Sequence, residues 1–500
     1  MDTRRFNPWL VLVIVGLAQF MVILDATIVN VALPSIQRSL HFSTDGLQWI
    51  VNAYAITFGG FLLLGGRAGD LLGRRRIFLI GITLFSAASL MNGFAGSSGI
   101  LVAGRAMQGL GGALIAPAAL SVLTTTFAEG RERTLALGVW SAIAVGGGAI
   151  GLLLGGVLTS LLSWQWIFYV NVPVGLAAIA LAIRFVPESR VENASGGIDV
   201  TGAVTVTAGL MLLVYALVNA QSAGWLSLQT LGLSAVAAGL LTTFVVLQRR
   251  LRHPLVRLGI FRMRSLTGSN LAMLLVAAGM FAMFFFATIY VQEVLGYSAL
   301  TSGLAFLPVT AGIIVGAGLS QQLIRRVGVR AVGLSGMSIA AVGLIVLSRI
   351  PVAGTYLGDL LPGLMTMSLG MGLTFVPITL IATTNVHSED AGLASGLLNT
   401  SQQLGGALGL AILSTIAANA TASALGGLGH ASSAAAAAAA LVSGFRLAFF
   451  VGALLMLGGA VVLAATVRRS DVTMIDGAGA AVRGAEARIA EGVAEEAGVA

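Results

Sequence analysis

Neither cysteine nor lysine occurs in the 500-residue chain, and all 27 basic residues are arginine. Without cysteine there is no disulfide framework and no thiolate metal site. Without lysine there is no Walker-type phosphate loop, whose lysine reaches the β- and γ-phosphates, so the chain supplies no ATPase motor of its own. Charge is scarce as well, at 9% of residues against 57% hydrophobic. A soluble domain carries roughly 25% charged residues, so most of this chain, with its mean hydropathy of +0.96, cannot face water. The net charge of +8 would by itself suit nucleic acid. The arginines, however, stand in short segments between apolar runs, which marks membrane topology rather than a basic groove, and no nucleic-acid partner is expected.

What is abundant is glycine, with 66 residues against 10 prolines. Small residues let transmembrane backbones approach closely, because lipid offers no hydrophobic drive for helix association. Apolar runs of about 20 residues are long enough to cross a bilayer. They fall at 9–33, 47–66, 77–94, 98–123, 134–159, 165–186, 199–219, 229–248, 267–292, 300–323, 331–348, 356–381, 394–418 and 445–467. The runs are unbroken and lack period-two alternation, so they predict helices and not a barrel. The expected fold class is all-α integral membrane, with fourteen transmembrane helices. The start of the chain, with Arg4 and Arg5 before an apolar run, imitates a signal peptide. The run from Trp9 to Leu33 is longer than a signal core and ends in no A-x-A cleavage pattern, so it is expected to remain as the first span.

Arginine placement orients the stack. Arg4, Arg5, Arg67, Arg74 to Arg76, Arg131, Arg133, Arg184 and Arg190 fall on one side. So do Arg249, Arg250, Arg252, Arg257, Arg262, Arg264, Arg325, Arg326, Arg330, Arg468 and Arg469, while Arg38, Arg349 and Arg446 lie opposite. The positive-inside rule then predicts a multi-pass protein of the cell membrane with both termini cytoplasmic. The Asn193-Ala194-Ser195 glycosylation pattern falls on that cytoplasmic side and is a decoy.

An internal repeat supports this layout. Gly112 and Pro117 recur as Gly372 and Pro377, Gly147, Gly148 and Gly151 as Gly405, Gly406 and Gly409, and Gly73 and Arg75 as Gly328 and Arg330. Each pair lies in the same direction of travel, so the halves are parallel repeats, as in two-lobed transporters. The expected organisation is a six-helix lobe (1–192), two inserted helices with a basic cytoplasmic linker (193–265), a second six-helix lobe (266–468) and a cytoplasmic tail (469–500). Residues 419–444, with Ala434 to Ala440, read as a low-complexity outer loop.

Two charges lie well inside spans: Asp25 in the first and Arg105 in the fourth. A charge at a helix centre costs about 2.5–3.5 kcal/mol on insertion scales. At 1.5 Å per residue both sit roughly 10–12 Å below the outer surface. One reading is a satisfied ion pair that fixes the packing of the two spans. The other is a protonatable carrier, which Asp25 suits if Arg105 stands too far away for permanent contact. Histidine does not compete, since His41, His253, His387 and His430 lie in loops or at ends, and Glu293, Asp359 and Asp199 read as border residues.

The loop between the second and third spans carries Gly69, Asp70, Gly73, Arg74 and Arg75. It reads either as a topology signal or as a conformational latch in which Asp70 meets a nearby helix N-terminus, where backbone N–H groups favour an anion. The fifth span carries Gly147, Gly148, Gly151, Gly155 and Gly156 in G-x-x-x-G spacing, suited to close packing and to bending as a gate. Asn30, Tyr54, Gln108 and Phe285, with Met21, Met107, Trp49, Phe284 and Phe286, are candidates for the wall of a substrate cavity or for packing.

At these residues the chain resembles the major facilitator superfamily, and within it the fourteen-span drug:proton antiporters of the EmrB/QacA type. The matching segments are Leu24 to Pro34 (LDATIVNVALP), the Gly65–Arg76 loop, Arg105 with Gln108 and Gly109, Trp164 to Pro173 (WQWIFYVNVP) and Gln292 to Leu307. The resemblance spans nearly all of 9–466. It implies the major facilitator fold, a proton-coupling role for Asp25, a proton or substrate linkage for Arg105, the cytoplasmic latch at Asp70, and the antiporter motif in the fifth-span glycines. The family pattern places proline after Gly151 and this chain has Leu152, so a kink at that point is not implied.

The expectation is therefore a secondary transporter that needs no cofactor and no metal. It would export amphipathic small molecules, drugs or antibiotics among them, against protons. The alternatives are a dedicated exporter of one endogenous metabolite, an organic-anion importer using Arg105, and a transporter-like sensor without flux. An intramembrane aspartyl protease, suggested by Gly69-Asp70, needs two carboxylates meeting within the bilayer, and Asp70 is in a loop.

Overall fold

Asn7 accepts a hydrogen bond from the Trp9 amide and Pro8 occupies the first helical position, which starts α1 (Pro8–Leu40) where the apolar run begins. This is a computed structural model, and it describes residues 7–127, 131–189, 199–383, 386, 391–426 and 434–468. Arg4, Arg5, Arg190, the 193–195 pattern, His387, His430 and the 469–500 tail lie outside the described residues.

Every regular element among the described residues is helical. After α1 come α2 (Trp49–Leu72), α3 (Arg74–Gly93), α4 (Ser98–Thr126), α5 (Arg131–Leu161) and α6 (Asn171–Phe185), the last preceded by a single turn at Trp166–Tyr169. Next are α7 (Val200–Ala223) and α8 (Leu228–Arg250). The series then continues through α9 (Arg264–Ile289), α10 (Leu307–Val327), α11 (Val329–Leu347), α12 (Leu361–Thr383), α13 (Ala391–Gly426) and α14 (Ala434–Thr466). Thirteen helices among the described residues are long and apolar enough to cross a membrane. The expected fourteenth, in α5, shows a shorter apolar stretch at Gly146–Leu161. The boundaries differ most at 419–444, expected as a loop. There α13 continues to Gly426 and α14 already starts at Ala434, because alanine has the highest helix propensity and a polyalanine run extends a neighbouring helix.

Several glycines are places where helix backbones come close. Gly81 of α3 lies against Gly111 of α4, where a Cβ on Gly81 would meet the Gly111 carbonyl oxygen at 3.0 Å. Gly336 of α11 lies against Gly370 of α12 in the same way, at 2.9 Å. Likewise α5 packs on α1 through Gly151 and Gly155, and α13 packs on α9 through Gly405 and Gly409. Helices α7 and α8 pack on each other, and α7 also meets α2 and α13.

The largest apolar core joins the two halves of the chain, with Leu24, Ile28 and Phe168 in one cluster with Met273, Phe286, Met371 and Phe449. Polar contacts between the halves sit at mid-depth and toward the end opposite the arginine-rich segments. Gln292 Nε2 donates to the Val31 carbonyl at 2.8 Å, the Leu300 amide to Ser160 Oγ at 3.0 Å, and Thr400 Oγ1 to the Gly59 carbonyl at 3.1 Å.

Candidate functional site

Asp25 is fully buried in α1 and Arg105 is 1% exposed in α4. They are in direct contact: Arg105 Nη1 donates to Asp25 Oδ2 at 2.5 Å. The gap between the two, left open by the sequence, is closed in this conformation. The same Nη1 donates to Gln108 Oε1 at 2.9 Å, Arg105 Nε donates to the Ile50 carbonyl at 3.0 Å, and the guanidinium carbon lies 4.4 Å from the Tyr54 ring centre. Each of these contacts offsets part of the cost of burying a cation.

The other carboxylate oxygen has its own donors. Gln108 Nε2 and Asn171 Nδ2 both donate to Asp25 Oδ1 at 2.9 Å. Both amides also donate to Ser89 Oγ, at 2.5 and 3.1 Å, and Asn92 Nδ2 donates to Gln108 Oε1 at 2.6 Å. Three buried polar side chains from α4 and α6 therefore donate to one α1 carboxylate, and Ser89 and Asn92 of α3 bond to the amides behind them. Gly104 makes room for Asn92, since a Cβ there would collide with the amide oxygen, and Gly109 lets α4 approach Tyr54 and Thr57 of α2. An ionised carboxylate only accepts hydrogen bonds, and every partner here donates to it. Oδ1 accepts two of these hydrogen bonds and Oδ2 one.

The sequence brought Asp25, Arg105 and Gln108 to attention but missed Ser89, Asn92 and Asn171. Uncharged polar residues are common in membrane helices, so no charge pattern marked them. Asn171 did stand within the WQWIFYVNVP segment, and its buried position is the signal that distinguishes it. Of the remaining cavity candidates, Tyr54 lies beneath Arg105 and stacks on Phe58 at 5.8 Å. Asn30 is half-buried and bonds to its own helix at Ala26, and Phe285 is buried at right angles to Phe286.

At the arginine-rich end, Gly73 joins α2 to α3 with φ of 110°, a conformation that L side chains rarely adopt. A Cβ there would also lie 2.6 Å from Glu188 Oε1. Asp70 pairs with Arg74 at 3.1 Å, one turn onward. The anion at the α3 N-terminus is Glu188, which accepts from the Arg75 amide at 3.1 Å and lies 3.9 Å from Arg76 Nε. The Arg74 amide donates to the Ser189 carbonyl at 2.9 Å, and Arg75 Nη2 donates to the Ile183 carbonyl in the last turn of α6. Gly69 lies beside the Arg74 side chain. In α5, Gly147, Gly148, Gly151 and Gly155 face α1, while a Cβ on Gly156 would meet the Ala299 carbonyl oxygen at 2.7 Å, across the junction between the halves. Leu152 is buried there, with its carbonyl against Gly303.

The model of the Major Facilitator Superfamily matches residues 15–410. The chain belongs to that superfamily. It is a transporter and not an enzyme, with an all-helical transporter fold. It is 41% identical over 460 residues to the puromycin resistance protein pur8 of Streptomyces alboniger, covering 91% of this chain and 90% of that one. It is also 41% identical to the cephamycin export protein CmcT of Amycolatopsis lactamdurans, over 82% of this chain and 85% of that one. Among solved structures it resembles the POT family transporter PepTSo, with a TM-score of 0.68 at 16% identity over 92% of this chain and 98% of that one. A bacterial homologue of the lysosomal transporter Spinster, in an inward-facing conformation, gives 0.64 at 17%, over 92% and 96%.

Proposed function

We propose that this transporter exports amphipathic small molecules, antibiotics among them, in exchange for protons. Its fourteen spans form two six-helix lobes plus the inserted pair α7 and α8, with both termini cytoplasmic. The observation that carries the coupling is that, among the described residues, Asp25 is a fully buried carboxylate far from either end of its helix, gripped by a guanidinium and two amides from α4 and α6. Those helices belong to one lobe, and α1 also packs against α9 and the short helix Ala299–Ala305 of the other. A change of charge at Asp25 therefore alters both the internal fit of one lobe and its contact with the next.

In the exchange cycle the Asp25–Arg105 bridge is closed when Asp25 is ionised and opens when a proton enters. A charge left uncompensated in a low-dielectric bundle is costly, so proton arrival and departure bias which way the lobes rock. Moving one charge through 100 mV is worth about 2.3 kcal/mol, enough to drive a steep gradient. Asp70 with Arg74 acts as the latch at the cytoplasmic ends of α2 and α3, and the α5 glycines let the fifth span slide against α1. The names of the relatives, a resistance protein and an export protein, support antibiotics as cargo.

The test is efflux from cells and from proteoliposomes with an imposed pH gradient, using puromycin and a cephamycin as cargo. Wild type exports, a proton uncoupler abolishes export, and Asp25→Asn inserts normally but does not export. Full export by Asp25→Asn removes Asp25 from the coupling role.

A further inference from the structure

The segment from Arg249 to Arg264 holds six arginines, Arg249, Arg250, Arg252, Arg257, Arg262 and Arg264, and no acidic residue. All six are exposed. This density of one sign on a short connection is held on a folded backbone. Buried Gln248 fixes its start: its Nε2 donates to Asp199 Oδ2 at 2.6 Å while its Oε1 accepts from the Val256 amide at 2.8 Å. Asp199 is also the cap of α7, accepting from the Gly202 amide at 2.7 Å, so this nearby carboxylate is buried and fully engaged.

Val256 and Ile260 then bury themselves against Leu266, Ala394 and Leu397. A tight turn at Leu258–Arg262 follows, and Thr267 Oγ1 donates to the Phe261 carbonyl at 2.7 Å to close it. The strap thus has an apolar side facing α13 and the start of α9, and a basic side facing away. Leu251 and Phe261 remain 39% exposed among the arginines.

The strap leaves directly from the end of α8, which is covered by protein over little of its length and so faces lipid. Its height is therefore that of the headgroups. Guanidinium groups bind phosphate oxygens in a forked, charge-assisted manner, and an exposed aromatic beside them suits the interface between headgroup and acyl chain. We propose that residues 249–264 form a built binding surface for anionic phospholipid headgroups, with Arg249, Arg250, Arg252 and Arg262 on the phosphates and Leu251 and Phe261 inserted beside them. The surface does not depend on the identity of the cargo. It reaches further into the fold than a topology signal does, because Val256 and Ile260 anchor it on the first turns of α13, beside the contact of Gly396 with Leu63 of α2.

The test uses the full-length protein in detergent micelles, with phosphatidylglycerol or phosphatidylcholine added and retained lipid counted by native mass spectrometry. Wild type retains phosphatidylglycerol in preference to phosphatidylcholine. Replacing Arg249, Arg250, Arg252 and Arg262 together by Gln lowers that preference about tenfold or more, since each basic residue near a membrane contributes separately. The four replacements sit on exposed side chains, and the matching Lys variant, which keeps the charge but not the fork, retains more of the preference than the Gln variant. An unchanged preference in the Gln variant overturns the proposal. So does displacement of the lipid by inorganic phosphate, which would make this a site for the free anion.

Discussion

Arg75 and Arg330 occupy matching places in the two halves and perform the same task. Each follows a glycine with positive φ, Gly73 at 110° and Gly328 at 88°. Arg75 Nη2 donates to the Ile183 carbonyl in the last turn of α6, and Arg330 Nη2 donates to the Ala464 carbonyl in the last turn of α14, at 2.7 Å. A helix C-terminus leaves carbonyls without partners and carries partial negative charge, so a guanidinium there satisfies both needs. The repeat seen in the letters of the sequence is thus also a repeat of a particular contact. The acidic partner is not repeated: Asp70 stands in the first half where Arg325 stands in the second.

The Asp25–Arg105 pair predicts strong non-additivity. Removing one partner of a buried ion pair strands the other charge, at about 3–5 kcal/mol. Arg105→Gln alone and Asp25→Asn alone should each lower the thermal midpoint of the purified protein. The double variant should recover much of the loss, because no unpaired charge remains. Additive losses in the double variant would mean that the two side chains are not energetically coupled.

Asn171 predicts a distinct effect. Asn171→Ala removes one of two donors to Asp25 Oδ1 and one of two donors to Ser89 Oγ. The expected destabilisation is about 1–3 kcal/mol, with Gln108 still in place. Chemical denaturation in a mild detergent measures it, and a loss no larger than that of an exposed Asn399→Ala control contradicts the assigned contacts.

The α5 glycines predict a contrast within one helix. A Cβ at Gly155 would lie 2.7 Å from the Ile28 carbonyl oxygen, whereas a Cβ at Gly138 would meet nothing within 4 Å. Gly155→Ala should cost about 1–3 kcal/mol through overpacking. Gly138→Ala should be neutral or stabilising by up to about 1 kcal/mol, since alanine favours helix. Thermal midpoints of the two variants decide it, and equal values refute the assigned packing face.

The arginine-rich loop separates two carboxylates. Asp70→Asn should slow efflux at saturating cargo while leaving the half-saturating concentration unchanged, as expected of a latch. Glu188→Gln removes the partly exposed anion from the α3 N-terminus and should lower stability by less than about 1 kcal/mol. Efflux kinetics and thermal melts on the two variants separate these roles, and a pure loss of affinity in Asp70→Asn contradicts the latch.

Much of this molecule was determined by sequence alone. Long apolar runs with few charges admit only helices in lipid, because each helix satisfies its own backbone, and one-sided arginines set the expected orientation. The repeat, the two buried charges and the glycine-rich fifth span were also visible in the letters. Tertiary structure decided what touches what. Whether Asp25 and Arg105 meet depends on how far apart α1 and α4 stand, and local sequence does not encode that distance. The roles of Ser89, Asn92 and Asn171 arise only when α3 and α6 bring uncharged polar groups into one network around Asp25. Likewise, the α3 N-terminus faces Glu188 and not Asp70 because the chain folds back more than a hundred residues later, and only the folded helices bring those two places together.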